Sequence, residues 1–180
     1  MNTTPEHLHL ALNHLPFLGA AFAIIPLLIG FFFKSRASII AGLLIAALSG
    51  WTTPLVMETG EEAYERYEDG PIAATLDARA EYYLEEHEHR AEAWSKVFYA
   101  VAIIATIAFI LTLWQPAWAR IAAIIVAFGC VAALAAGIWI AESGGLIRRP
   151  DFRPDAAAVN SPYSQKLQDP DKDHHDQDKD

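Results

Sequence analysis

The sequence predicts an all-α membrane protein, a four-transmembrane-helix antiparallel bundle with an acidic extramembrane helical hairpin. Four uninterrupted apolar stretches that contain no Asp, Glu, Lys, Arg or His run through the 180 residues. Each is close to the ~20 residues that an α-helix needs to cross the hydrocarbon core of a bilayer. A chain of this size cannot bury four such stretches in a water-soluble core, so we expect each to span the membrane. The stretches are residues 15–33, 39–57, 97–114 and 121–141.

The composition excludes several classes of protein and site. The formal net charge of −9 argues against nucleic acid as a partner, and the predicted partner is the lipid bilayer. Cys130 is the only cysteine, which excludes an intramolecular disulfide and any cysteine-rich zinc or iron–sulfur site. The chain has no c-type haem attachment motif, no phosphate-binding glycine loop and no Ser-His-Asp nucleophile set, so it does not indicate an enzyme.

The first two spans have recognisable ends. A threonine precedes Pro5, and a proline in the first turn is typical of a helix start. We expect one helix from about Pro5 to Phe33, with His14 in its early turns. Trp51 marks the polar end of the second span, because tryptophan is a usual anchor at the membrane surface.

Residues 58–93 are predicted to form the acidic hairpin. The segment 58–92 holds twelve acidic and three basic residues. Asp69-Gly70-Pro71 should end its first helix, and a second helix from about Ala73 should continue into the third span. That continuous helix would hold ~40 residues and be roughly 60 Å long. Its inward face should carry Ile72, Leu76, Tyr83 and His87.

The fourth span is predicted to pack closely inside the bundle. Ala133 and Gly137 form a small-xxx-small pair, which lets helix backbones approach in lipid. The transmembrane domain is expected to cover residues 1–153. The acidic, polar residues 154–180 are expected to be a disordered tail.

The charge distribution predicts an orientation in a bacterial inner (cytoplasmic) membrane. The loop after the first span carries Lys34 and Arg36, and no basic residue precedes that span. By the positive-inside rule the N-terminus and the His/Glu face are periplasmic. The opposite orientation is favoured by a basic cluster after the fourth span, but the first helix usually dominates. That cluster is Arg148, Arg149 and Arg153.

Antiparallel spans bring most histidines and glutamates to one membrane face, and these residue types suit Fe, Zn or Mn. His14 precedes the first apolar stretch directly, where a histidine facing lipid is unfavourable, so it should face the bundle. His87 lies on the apolar stripe of its helix, and Glu88 could orient an imidazole or bind metal itself. The alternative for each histidine is a buried hydrogen-bonded partner. The predicted metal ligands are His14, Glu61, Glu65, His87 and Glu88.

Two more specific sites compete with that one. His14 and His87 could clamp a b-type haem, which would lie near the membrane surface because no histidine is deep within a span. Alternatively, the chain formally contains two Glu-x-x-His elements of the kind found in di-iron four-helix bundles. These elements are Glu6-x-x-His9 and Glu86-x-x-His89.

Several short motifs on this face resemble those of a group of small, uncharacterised four-span bacterial membrane proteins. The resemblance covers about residues 7–153 and implies that the His/Glu residues act as a set, but it implies no reaction. Arg149 departs from it, since a histidine is expected at that position. The motifs are His9 to Gly19 with its Asn-His-x-Pro, Thr59-Gly60-Glu61 with Glu65, His87-Glu88-x-x-Ala91, and Gly144-Gly145-Leu146-Ile147-Arg148 with Pro150 and Asp151.

The leading hypothesis is therefore a membrane protein with a His/Glu metal- or haem-binding site at one membrane face, used in redox chemistry or metal handling. The alternative is a non-catalytic accessory or scaffold subunit of a larger membrane complex. In that case the polar cluster would be a structural hydrogen-bond network. A proton- or ion-coupled transporter is less well supported, because the spans lack charges and show no obvious repeat.

Overall fold

A computed structural model describes residues 4–68, 70, 77 and 79–154, and all regular structure in this part of the chain is helical. Short 3₁₀ turns at Pro116–Trp118 and Pro150–Phe152 precede and follow the last α-helix. Ile72 and Leu76, two of the residues predicted for the inward face, and the predicted tail after residue 154 lie outside the described residues. The α-helices are α1 (Pro5–Leu12), α2 (Leu15–Phe32), α3 (Arg36–Gly50), α4 (Thr53–Glu68), α5 (Ala80–Trp114) and α6 (Ala119–Arg148).

Four helical stretches are long and apolar enough to cross a membrane, as the sequence predicts. Each covers one of the predicted apolar stretches, except that the first ends one residue early at Phe32, and each extends into polar residues on at least one side. The stretches are Pro5–Phe32, Arg36–Glu68, Ala80–Trp114 and Pro116–Arg148.

The first span differs from the prediction because its α-helical pattern is interrupted at Asn13 and His14. We expected one uninterrupted helix from Pro5 to Phe33. Pro16 has no N–H to donate to the carbonyl of Leu12, so one helical hydrogen bond is lost at this point. A proline follows the break between α3 and α4 in the same way.

The long helix α5 begins later than predicted but is continuous as predicted. Asp77 is not helical, and the helix starts at Ala80 instead of about Ala73. From there it runs unbroken through His87 to Trp114, a length of 35 residues. At 1.5 Å per residue this is roughly 52 Å, so the helix projects well beyond a bilayer core.

The helices α2, α3, α5 and α6 pack around a common core, each against two neighbours, with α3 and α6 also in contact across it. Near the start of α2, Gly19 lies against Ser49 near the end of α3, and Gly30 near the end of α2 lies against Ile39. These two helices therefore run in opposite directions. At the polar end α1 packs on α4.

Small residues fill the core, and bulky apolar residues cover its outside. Ala102 and Ala133 are fully buried, whereas Phe22 and Phe128 are 63% and 74% exposed. Close packing of small residues is how helices associate in lipid, which solvates the bulky side chains. Gly137 lies directly against Phe17 of α2, so the predicted small-xxx-small pair does serve packing within the chain.

Candidate functional site

Two histidines from different parts of the chain meet at the polar end of the bundle. The ring centroids of His9 in α1 and His87 in α5 lie 6.4 Å apart, with the ring planes at 84°. Both side chains are half-buried. The sequence predicted His87 at this site, but paired it with His14.

His9 is held against α4 by its Nδ1 edge. Nδ1 lies 3.1 Å from the carbonyl oxygen of Val56 and 3.4 Å from the hydroxyl of Thr59. The ring lies against Gly60, and a Cβ at that position would be 2.9 Å from the ring's Cε1. A glycine is therefore needed for the imidazole to approach α4 this closely.

His87 is held against α6 in the same manner. Its Nδ1 lies 3.0 Å from the carbonyl oxygen of Ile140 and 3.3 Å from the hydroxyl of Ser143. A Cβ at Gly144 would be 2.9 Å from Cε1 of this ring. As predicted, His87 points inward, while His89 is exposed.

These contacts determine which ring nitrogen carries the proton. A carbonyl oxygen can only accept a hydrogen bond, so Nδ1 of each histidine donates to it. In the neutral ring, Nε2 then carries a free lone pair. A histidine that binds a metal or haem iron through Nε2 usually has its Nδ1–H bonded in this way to a carbonyl or carboxylate.

His14 is not part of this pair. It lies at the start of α2, is exposed, and packs beside Phe17 with 5.5 Å between the ring centroids. The preceding Asn13 has a buried side-chain oxygen without a hydrogen-bond partner.

The predicted carboxylate ligands do not assemble around the histidines. Glu61 and Glu65 are exposed on α4, and Glu88 is half-buried on α5. In the part of the chain that the structure describes, no group of three or more His, Cys, Asp or Glu side chains is placed to hold a metal ion. A site with several protein carboxylates is therefore not formed by these residues.

The glutamates of the two Glu-x-x-His elements are each paired with an arginine. Glu6 accepts a hydrogen bond from Arg66 at 2.7 Å, which ties α1 to α4. Glu86 accepts one from Arg90 at 2.6 Å. The predicted di-iron arrangement is not formed, because each carboxylate neutralises a guanidinium instead of facing a metal.

Arg90 also ties α5 to α6. Its guanidinium donates to the carbonyl of Trp139 at 2.9 Å and to Glu142 at 3.3 Å, and lies 4.0 Å from the centroid of the Trp139 indole ring. It is 17% exposed. The helix pair that carries His87 is thus held together next to the histidine.

The end of the described chain is held against Asp77 of the acidic segment. Arg153 is buried and makes two hydrogen bonds to Asp77, at 2.6 and 3.0 Å. It also donates to the carbonyls of Leu146 and Ile147. Its hydrogen bonds to Asp77 lower the pKa of that carboxyl from 3.8 to about 2. Arg149, in contrast, forms an exposed pair with the neighbouring Asp151.

Sequence reasoning missed His9 as the partner of His87, although a signal is present. Val56 to Gly60 reads Val-Met-Glu-Thr-Gly, and Ile140 to Gly144 reads Ile-Ala-Glu-Ser-Gly. Both contain a branched apolar residue, a glutamate, a hydroxyl residue and a glycine at the same positions. The shared pattern marks the two surfaces on which histidines lie.

Comparison of the chain with protein-family models, with curated proteins and with solved structures gives no match. The resemblance to small four-span membrane proteins stays a prediction. Function is therefore inferred from the geometry of His9 and His87 and from the helices that hold them.

Proposed function

We propose that the chain is an integral membrane protein that binds a transition metal or a b-type haem through His9 and His87 at one membrane face. Its role would be redox chemistry or metal handling at the membrane surface. The observation that carries this proposal is the pair of imidazoles 6.4 Å apart, each donating Nδ1–H to a backbone carbonyl. This leaves a free Nε2 lone pair on each of two neighbouring, half-buried imidazoles.

The bilayer is proposed as the solvent for the helices because of what their outer surface is made of. Large exposed side chains such as Phe22, Phe128 and Ile138 cover the outside, whereas the interior is mostly alanine and glycine. In water such a surface would drive aggregation. We propose an antiparallel four-span bundle, with α4 and the start of α5 forming the acidic hairpin outside the membrane.

The proposed location is a bacterial inner membrane with the histidine pair on the periplasmic side. The short loop between α2 and α3 carries Lys34 and Arg36, and positively charged loops stay in the cytoplasm. Arg36 donates to the carbonyls of Thr112 and Leu113 at the end of α5. The α2–α3 loop and the α5–α6 turn therefore lie close together, at the end of the spans opposite the histidine pair.

Metal analysis of the detergent-purified, untagged full-length protein tests the proposal. Cells are supplied with iron, zinc, copper, manganese and hemin, and the purified protein is analysed by elemental mass spectrometry. We expect near-stoichiometric metal that is lost in His9→Ala and in His87→Ala. His7→Ala and His89→Ala are matched controls two residues away, and both should keep the metal. A folded wild-type protein without metal after this supply would overturn the proposal.

A second candidate function is a non-catalytic accessory subunit of a larger membrane complex. It is favoured by the hydrogen bonds between helices, since His9, His87, Arg66 and Arg90 all have partners on the neighbouring helix. Under this alternative His87→Ala would lower the free energy of unfolding by roughly 0.5–1.5 kcal/mol, the net contribution of one hydrogen bond, because the carbonyl of Ile140 loses the imidazole but keeps the Ser143 hydroxyl as a donor. No metal would be lost, and the wild-type protein would co-purify with partner subunits.

A further inference from the structure

The two halves of the chain present a histidine in the same way. In the first half, His9 donates to the carbonyl four residues before Gly60. In the second half, His87 donates to the carbonyl four residues before Gly144. In each case the residue before the glycine has a hydroxyl near the same Nδ1, at 3.4 Å for Thr59 and 3.3 Å for Ser143.

Each histidine also has an arginine–glutamate ion pair beside it, although the histidine-bearing helix supplies the glutamate in the first case and the arginine in the second. Arg66 on α4 binds Glu6 on α1, which joins the two helices that hold His9. Arg90 on α5 binds Glu142 on α6, which joins the two helices that hold His87. Each histidine is thus set in its own pair of helices, and each pair is fastened by an arginine and a glutamate.

The order of the helices relates the two halves by a rotation. The α2 helix packs on α3 and α6, and α5 packs on the same two helices, so α2 and α5 occupy opposite corners. Since His9 precedes α2 and His87 lies in the extension of α5, the histidines approach each other across the bundle centre. This is the arrangement of a parallel internal repeat with its axis along the bundle.

We propose that residues 5–68 and 80–148 are two repeats that together hold one b-type haem, with His9 and His87 as its two axial ligands. This inference rests on the proposed function and names the ligand. A porphyrin supplies four of the six nitrogens around iron, so two protein ligands are enough. A bare zinc or iron ion needs three or four, and the described residues offer no group of three.

The distance between the rings fits this ligand. With metal–imidazole bonds of about 2.0 Å, as at zinc, and each ring centroid roughly 1 Å beyond its nitrogen, two axial imidazoles have centroids about 6 Å apart. The centroids of His9 and His87 are 6.4 Å apart. Two axial rings at a large angle to each other can both stand upright on one flat macrocycle, so the 84° between the planes is compatible.

The two repeats make few contacts with each other at the polar end. At the polar end α1 packs on α4, and α5 packs on α6, whereas α4 and α5 touch only at a few residues. When bound, the haem would supply one-electron transfer at the membrane surface. The chain orients the imidazoles through the carbonyls of Val56 and Ile140, which keep the proton on Nδ1.

Optical and paramagnetic resonance spectra test the inference on the full-length protein, expressed with hemin and purified in detergent. We expect one haem per chain with the low-spin spectrum of six-coordinate iron. His9→Ala and His87→Ala should each lose that spectrum, and added imidazole should restore it in each. His7→Ala and His89→Ala should be indistinguishable from wild type. Gel filtration and circular dichroism establish that each variant is folded.

The outcomes separate this inference from the proposed function. Stoichiometric zinc, copper or non-haem iron lost in both variants would overturn the haem assignment and leave the proposed function standing. A low-spin spectrum that persists in His9→Ala but is lost in His14→Ala would overturn the repeat-based pairing. A protein with neither haem nor metal would overturn both proposals.

Discussion

Gly144 lies so close to His87 that a methyl group at the glycine would be 2.9 Å from Cε1 of the imidazole. Gly60 stands in the same relation to His9, also with 2.9 Å to Cε1. Real Cβ atoms do not approach a neighbour this closely, so the imidazole must move if either glycine is replaced. The positions of both histidines therefore depend on glycines in other helices.

Replacing either glycine by alanine should weaken the site without removing a ligand. We expect Gly60→Ala and Gly144→Ala each to reduce metal or haem affinity by about 10–100-fold, as for other changes that displace a ligand's support. Titration of the purified protein with hemin or metal measures this. Gly145→Ala is the matched control, because no described atom lies within 4 Å of its added Cβ. Equal affinities in all three variants would contradict the geometry.

Breaking the Asp77–Arg153 pair should lower stability in a pH-dependent manner. The pKa of Asp77 is lowered from 3.8 to about 2 in the folded protein, chiefly by the hydrogen bonds from Arg153. A lowered folded-state pKa means that the contribution to stability is fully present above pH 3.8 and is lost as the pH falls toward 2. Since Asp77 is 44% exposed, we expect Asp77→Asn to cost only about 1 kcal/mol at pH 7.

Thermal unfolding in detergent between pH 7 and pH 2.5 measures that effect. The difference between wild type and Asp77→Asn should shrink as the pH falls. Asp151→Asn is a useful control, because the Arg149–Asp151 pair is exposed on both sides and should contribute little. A constant difference across the pH range would show that the ion pair does not cause it.

The close approach of α3 and α5 at Gly50 should make the bundle sensitive to any side-chain atom added there. A Cβ there would lie 2.8 Å from Cβ of Ala102 and 3.1 Å from the carbonyl oxygen of Phe98. The obstacle includes backbone, which cannot rotate away, so Gly50→Ala should cost about 1–3 kcal/mol. Ala41→Leu adds more bulk on the exposed face of the same helix and should cost little. Unfolding of both variants in detergent gives the comparison, and equal losses would contradict the helix arrangement.

The proposed topology predicts which positions react with a thiol reagent added outside the cell. In a Cys130→Ala background, a cysteine at His89 should react with a membrane-impermeant thiol reagent in intact cells. The Ala117→Cys variant, in the turn between α5 and α6, should react only after the membrane is permeabilised. The reverse pattern would place the histidine pair in the cytoplasm. Reaction of both sites in intact cells would contradict a membrane-spanning α5.

Much of the fold can be predicted from the sequence because the signals for it are local. Apolar stretches of about 20 residues predict the spans. The lack of a helix-breaking residue before the third stretch predicts the continuous α5. The interruption at His14 follows from local effects, such as the missing N–H of Pro16. Those effects determine where a helix ends, which is the least certain part of a sequence-based prediction.

Only one of the two histidines can be predicted from the sequence, because the partner of His87 depends on how separate helices align. Periodicity indicates that His87 faces inward, but it does not tell which residue lies opposite. His14 adjoins the first apolar stretch and was the natural choice. The choice of His9 is made by Gly60, which lets the ring approach α4, and by the carbonyl of Val56. Only the matching glycine at Gly144 points to that pairing from sequence.

The central claim is that His9 and His87 form one site, and a four-protein cycle tests it most directly. The measurement is the amount of metal or haem bound per chain in wild type, His9→Ala, His87→Ala and the double variant. We predict about one equivalent in the wild type, a similar large loss in each single variant, and no further loss in the double variant. Full occupancy in either single variant, or losses that add independently, would contradict it.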